Sequence, residues 1–181
     1  MSISLLQWNS NSLTAHLPEF KHYLDELSSL PQIICVQETF LRPTSNISFP
    51  GYSVFRQDGL NGRGGVAILV KNEINYSDIH YYKGVEGISV TIETIHGPLQ
   101  IFNFYVSPTN TFDETFFQEI FSVDNSFICG DFNAKSSLWG SPKADQRGKS
   151  IENILKKSNM VVLNTGEPTR YHRSGFSHID L

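Results

Sequence analysis

The chain has 181 residues, of which 39% are apolar and 18% charged, with 13 Phe, 7 Tyr and 2 Trp. That length predicts one domain, spanning 1–181, with enough core to fold, and the composition excludes disordered and fibrous classes. No apolar stretch approaches the roughly 20 residues of a membrane span, and the N-terminus shows neither a basic leader nor a small-residue cleavage site. Cys35 and Cys129 each lie within an apolar run, so both are expected to be reduced core residues of an intracellular protein. The net charge of −4 is uneven: residues 1–134 carry 6 Lys/Arg and 14 Asp/Glu (6 − 14 = −8), residues 135–181 carry 8 and 4 (8 − 4 = +4). The basic part includes Lys135, Arg147, Lys149 and Arg170, a weak pointer to a polyanionic partner; a solvated helix face explains Lys156 and Lys157 better.

In chain order the pattern alternates strands and helices without repeats or linkers. Ile3–Trp8 reads as a strand ending at Asn9. Phe20, Tyr23, Leu24 and Leu27 have the spacing of a helix face over Pro18–Leu30. Gln32–Gln37 (QIICVQ) is a short apolar strand, and Tyr52–Arg56 is another after the Pro50-Gly51 turn. Arg63-Gly64-Gly65 resembles a phosphate-cradling loop, but it precedes the buried strand VAILV and so reads as a hairpin turn. Ile88–Ile95 (ISVTIETI) alternates with period two, turns at His96-Gly97-Pro98, and returns through Leu99–Val106 as a hairpin. Asp113–Phe121 is a short helix with Thr111 as a possible N-cap. Phe127–Cys129 is a strand, Ser150–Ser158 a helix and Val161–Leu163 a further strand. Hairpins mixed with helices predict an α+β architecture around two sheets.

The chemistry lies at the strand ends. FICGDFNAKSSL (Phe127–Leu138) stops an apolar run at Asp131 and Asn133, which share a face if the backbone stays extended. An acid beside an amide suits a hard cation and an oriented water; a strand-ending Asx turn accounts for Gly-Asp-x-Asn equally well. Other strands end at Gln7-Trp8-Asn9, at Gln37-Glu38 and near Tyr105, and the sequence closes with Ser177-His178-Ile179-Asp180. Oxygen donors of this kind favour Mg²⁺ or Mn²⁺ over zinc, and the cysteines and histidines show no zinc spacing. Trp139, in the loop after GDFN, is open between base stacking and core; Trp8, inside a strand, reads as core. Thr169–His172 reads as a surface strand or loop, with a DNA-backbone contact as the alternative.

Taken in order, QWN, VQE, the Tyr of NFYVSP, GDFNA and SHID resemble the endonuclease/exonuclease/phosphatase superfamily. RGGVAILVK, GDFNAKSSLWGS and the DxRG of Asp145–Gly148 resemble in particular the endonuclease domains of non-LTR retrotransposons of the jockey and R1 type. The resemblance covers essentially the whole chain. It implies a four-layer α/β/β/α sandwich with two mixed, mainly antiparallel sheets. It implies a Mg²⁺-dependent endonuclease, with Mn²⁺ as substitute, that nicks DNA for target-primed insertion beside a reverse transcriptase and its RNA. Glu38 would then be the main metal ligand, with Asn9 completing the metal's water shell. Asp131 would activate the water, Asn133 hold the phosphate or that water, Tyr105 donate to a phosphate oxygen, and Asp180 orient a catalytic histidine. Ser177, Lys135, Arg147 and Trp139 are the candidate substrate contacts.

The family pattern also places a Ser-Asp-His several tens of residues after SxID, whereas this sequence stops at Leu181. The expectation is a chain without the family's late strands and with impaired activity; His178 is a poor substitute for the histidine. Two alternatives stay open: a superfamily phosphodiesterase or phosphatase acting on RNA, lipid or inositol phosphates, and a non-catalytic nucleic-acid-binding remnant. A monomer is expected, nuclear when acting on DNA.

Overall fold

The computed structural model describes residues 3–172 and 175–181, and for 170–172 and 175–177 the backbone alone. Two compact units can be distinguished, one running to Tyr105 and including Asn125–Gly130, the other formed by Val106–Asp124 and Asp131–Leu181.

The first unit holds two four-stranded sheets. In one, β1 (Leu5–Asn9) pairs parallel with β2 (Ile33–Gln37), followed by antiparallel β4 (Val66–Lys71) and β3 (Tyr52–Gln57), with helix α1 (Leu17–Glu26) between β1 and β2. In the other, β5 (Tyr76–Tyr81), β6 (Glu86–Thr94), β7 (Gly97–Tyr105) and β8 (Ser126–Asp131) lie in sequence order. The second unit contains α2 (Glu114–Ile120), α3 (Gln146–Leu155) and the short hairpin of β9 (Arg170–His172) with β10 (Gly175–Ser177). This is the expected α+β class, with one mixed and one hairpin-built sheet.

The strands β2 and β4 are apolar on both faces because both faces are covered. Ile33, Cys35, Val66, Ile68 and Val70 point between the sheets, against Ile88, Val90, Ile92, Ile101 and Cys129. Their alternates Ile34, Val36, Ala67 and Leu69 pack under Phe20 and Leu24 of α1 and against Leu13, Leu41 and Phe49. Each such aliphatic side chain contributes about 1.5–3 kcal/mol when buried. Both cysteines are buried and unoxidised, and Trp8 stacks on Phe20 at 4.4 Å, as a core residue should.

Several boundaries differ from expectation. Helix α1 ends at Glu26, with Leu27 extended (φ −71°, ψ 138°), because Ser28 and Ser29 favour non-helical backbone and Pro31 extends Leu30. Asp113, not Thr111, caps α2, accepting the Phe116 N–H at 3.0 Å. Helix α3 begins four residues earlier than its apolar pattern suggests, because Asp145 caps it by accepting the Gly148 N–H at 2.7 Å. Strand β5 is an edge strand with mostly exposed positions and a register shift between Ser77 and His80; it shows little apolar alternation. Val161 and Leu163 form no strand and are 77% and 70% exposed, with no apolar surface covering them among the described residues.

One polar feature crosses the inter-sheet core. Gln37, at the end of β2, donates through Nε2 to Asn103 Oδ1 at 2.6 Å. Asn103, in β7, donates onward to Val36 O at 3.0 Å and Ala67 O at 2.9 Å. Both amides are fully buried, so losing one strands the partners in a medium that offers no replacement. Asn103→Leu is therefore expected to lower the unfolding free energy by about 3 kcal/mol or more, as read from urea denaturation. A cost below about 1 kcal/mol would show that the tie is dispensable.

Candidate active site

In the first unit the candidate residues follow from how β1 and β2 end. Asn9 pairs with Gln37 in parallel register, and the next residue of the β2 segment, Glu38, turns into left-handed backbone at φ 49°. An L-residue there costs on the order of 1 kcal/mol and persists only where its surroundings impose it. They do so from both sides. The Ser12 N–H donates to Glu38 O at 2.8 Å and the Leu13 N–H to Thr39 O at 3.0 Å. The Ser10 hydroxyl donates to Glu38 O at 3.0 Å. Opposite them, the Thr39 N–H reaches Gly65 O at 3.2 Å and the Phe40 N–H reaches Gly64 O at 2.9 Å.

The Glu38 carboxylate receives the Asn9 Nδ2–H at 2.9 Å, and Asn9 Oδ1 accepts the Asn11 N–H at 3.1 Å. The structure thus brings Asn9 and Glu38 together, with the amide orienting the carboxylate. The Glu38 carboxylate, oriented by the Asn9 amide N–H, is a hard oxygen donor and fits a cation that keeps several waters. Tyr105 ends β7, 9% exposed, its ring within the inter-sheet core.

Glu86, in the same unit, was not anticipated. It faces Tyr105 across the β6–β7 ladder, and its carboxylate accepts the Gly65 N–H. Gly64 and Gly65 have φ of 69° and 85°, and a Cβ on either would lie within 2.3 Å and 2.6 Å of Glu86 Oε2 and Thr39 Oγ1 respectively. The Arg63-Gly64-Gly65 turn is accordingly a hairpin support for the Glu38 backbone. Burial pushes the Glu86 carboxyl above its ordinary range, the Gly65 N–H pulls it back, and the Glu38 carboxylate pushes it up again.

In the second unit, Asp131 is fully buried and its Oδ1 accepts the Asn133 N–H at 2.8 Å. Asn133 is left-handed at φ 47°. The Asp131 side chain therefore meets the Asn133 main chain through an Asx turn, and the segment leaves the extended backbone that would give the two side chains one face. Gly130 permits this exit, since a Cβ there would sit 2.1 Å from Phe104 O. Asn133 Nδ2 donates to Val106 O at 3.2 Å. Asp180 forms an isolated bridge with Asp131, and its main chain is held by Asn164 Nδ2 on its carbonyl at 2.9 Å and by Thr169 Oγ1 accepting its N–H at 3.3 Å. His178 is 4% exposed and packs beside Gly140.

Two of the expected substrate contacts are turned inward. Trp139 is fully buried and donates Nε1–H to Ala134 O at 3.0 Å; no base can reach its ring face. Arg147 turns its guanidinium inward onto main-chain carbonyls, the shortest being Phe132 O and Asn110 O, both at 2.8 Å. Lys135 is exposed. The side chains of Ser177 and of Arg170–His172 lie outside the described residues, as does Arg173.

Comparison with known proteins gives a consistent picture. The family model described as endonuclease-reverse transcriptase matches residues 99–181. The RNA-directed DNA polymerase from mobile element jockey of Drosophila funebris is 30% identical over 185 residues, covering 94% of this chain and 19% of that protein. The probable RNA-directed DNA polymerase from transposon X-element of Drosophila melanogaster is 29% identical over 184 residues, with the same coverage of 94% and 19%. The chain thus spans about a fifth of the length of these curated relatives. Among solved structures, the endonuclease domain of TRAS1, a telomere-specific non-LTR retrotransposon, superposes with a TM-score of 0.73 at 23% identity, covering 98% of this chain and 82% of that one. A 3'-5' exonuclease (NExo) from Neisseria meningitidis gives 0.68 at 16% identity, covering 98% and 85%.

The Glu86 contact yields a pH prediction. With its folded-state carboxyl raised, Glu86 contributes stability that is fully present below the ordinary carboxylate range and lost as pH rises through the raised value. Glu86→Gln keeps an acceptor for the Gly65 N–H and removes that titration. The melting temperature of the variant minus that of the wild type should be more positive near pH 7 than at about pH 4. An identical difference at both, by scanning fluorimetry, would contradict the assignment.

Proposed function

We propose that the chain is a member of the endonuclease/exonuclease/phosphatase superfamily and a Mg²⁺-dependent phosphodiester hydrolase that nicks DNA for a non-LTR retrotransposon, because residues 99–181 match the endonuclease-reverse transcriptase family model and the sequence is similar to that of a jockey element. The observation that carries this reading is Glu38, a carboxylate on strained backbone clasped by Asn9. Strained residues of this kind cluster at functional sites, where the surroundings over-determine them.

Glu38 would hold the cation, Mg²⁺ or Mn²⁺ in its place, with Asn9 fixing the carboxylate. When bound, the cation supplies neutralisation of the charge that develops on the phosphate. Asp131 accepts the proton of the attacking water, whose oxygen bonds to phosphorus as the bond to the 3′-oxygen breaks and that oxygen takes a proton from solvent water. The products are a 5′-phosphate and a 3′-hydroxyl. Asn133 orients the water or the phosphate, and the Tyr105 hydroxyl donates to a non-bridging oxygen. Asp180 supports acid–base chemistry by hydrogen bonding, and Ser177 and Lys135 contact the phosphodiester backbone. The free 3′-hydroxyl suits priming by a reverse transcriptase on its RNA, and such a role places the protein in the nucleus. No helix among the described residues is long and apolar enough to cross a membrane.

Supercoiled plasmid should be relaxed by the chain in Mg²⁺ and not in EDTA. Asp131→Ala is expected to slow nicking by about 100-fold or more, the contribution typical of a general base, and Glu38→Ala to abolish the Mg²⁺ response. A folded chain that leaves plasmid intact, or nicks equally well in both variants, would refute the proposal. Cleavage confined to RNA or inositol phosphates would keep the chemistry and replace the substrate.

A further inference from the structure

We infer that Arg147 is a positioning residue for the Asp131–Asn133 turn and not a phosphate ligand. The inference rests on the phosphodiester-hydrolase reading for its catalytic consequence, and on the second unit's own geometry for the rest.

The guanidinium meets six main-chain carbonyls. Nη1 donates to Phe132 O at 2.8 Å, Val106 O at 3.2 Å and Asn133 O at 3.4 Å. Nη2 donates to Asn110 O at 2.8 Å, Ser107 O at 3.1 Å and Pro108 O at 3.5 Å. A guanidinium has five N–H donors in a rigid fork and no acceptor, and here both terminal nitrogens are turned to backbone. A phosphate would have to displace these carbonyls to gain the same donors.

The two segments so joined are residues 106–110 and 132–133, which lie outside helices and strands; their main-chain bonds include Val106 N–H to Asp131 O at 2.9 Å and Asn110 N–H to Ser107 O at 3.1 Å. One of them contains left-handed Asn133, whose Nδ2 shares Val106 O with Arg147 Nη1. Arg147 sits in the first turn of α3, where the helix dipole disfavours a cation. The ring of carbonyls, with Asp145 and Asp131 nearby, offsets that penalty and the burial that lowers the guanidinium's proton affinity. Helix α3 is itself anchored: the Asp145 N–H donates to Lys135 O at 3.0 Å, and Gly148 lies so close to Lys135 O that a Cβ would stand 1.8 Å from it. Arg147 thus transmits a fixed helix to the turn that aims Asp131 and Asn133. A lysine, with one compact ammonium, cannot span both segments.

The test uses the full chain, Arg147→Lys and Arg147→Ala, with three readouts. Hydrogen exchange follows the Asn133 amide, which is bonded to Asp131 Oδ1, against amides of β6 and β7. Binding to a DNA duplex in EDTA across salt concentrations counts phosphate contacts. Nicking kinetics in Mg²⁺ separate kcat from KM. Both variants should lose at least about tenfold of the Asn133 protection while β6 and β7 stay protected. The salt slope should be unchanged, and kcat should fall roughly 10- to 100-fold at constant KM.

A salt slope reduced by about 1 with Asn133 protection intact would make Arg147 a phosphate contact and overturn the inference. So would unchanged kcat in a chain of lowered melting temperature, which is a merely structural role. Should Arg147→Ala fail to fold, Arg147→Lys decides. Should the wild type nick nothing, the functional proposal fails, while Asn133 exchange and the salt slope still judge the positioning.

Discussion

The buried amide pair Gln37–Asn103 is the constraint from which the first unit's geometry follows. An apolar interface between two sheets tolerates sliding, since one aliphatic contact resembles another. Amides buried in that interface tolerate little of it, because each donor left unpaired costs about 1–3 kcal/mol. Asn103 binds Gln37, Val36 and Ala67 at once, so it fixes β7 against β2 and β4 in one register. Gln37 is the last residue of β2, and Glu38 departs from that fixed point.

The candidate residues of each unit, taken separately, show the same design. Each sets a polar side chain on left-handed backbone, Glu38 at φ 49° and Asn133 at φ 47°. Each surrounds it with hydrogen bonds from neighbouring segments. In the first unit the agents are Ser10, Ser12 and the Gly64-Gly65 turn under Glu86; in the second they are Asp131 itself and Arg147. Strain at a strand end is thereby stabilised by contacts that also restrict the side chain's rotamers, and such preorganisation is what electrostatic catalysis requires.

The sequence made legible those features that depend on near neighbours. Apolar runs marked β2, β4 and β8, period-two alternation marked the β6–β7 hairpin, and the strand-end polar residues Asn9, Glu38, Asp131 and Asn133 stood out by contrast with the apolar runs before them. What it hid depends on distance. Glu86 meets Gly65 across 21 residues, and nothing in EGISV distinguishes that glutamate from a solvated one. Arg147 lay in a basic stretch where charge suggested phosphate, yet its partners are main-chain carbonyls, which carry no sequence signature. Trp139 was ambiguous because an aromatic beside GDFN suits either a base or a core, and burial alone decides. The capping aspartates 113 and 145 were visible as residue types; competing apolar patterns drew the helix boundaries elsewhere.

The central claim is that the clasped carboxylate of Glu38 is a cation ligand. Its most direct test is a titration of the folded chain with Mn²⁺, following free Mn²⁺ by electron paramagnetic resonance, beside Glu38→Gln. The account predicts a saturable site in the wild type that Mg²⁺ displaces, weakened by at least about tenfold in the variant at unchanged melting temperature. Equal Mn²⁺ affinity in the two proteins would contradict it.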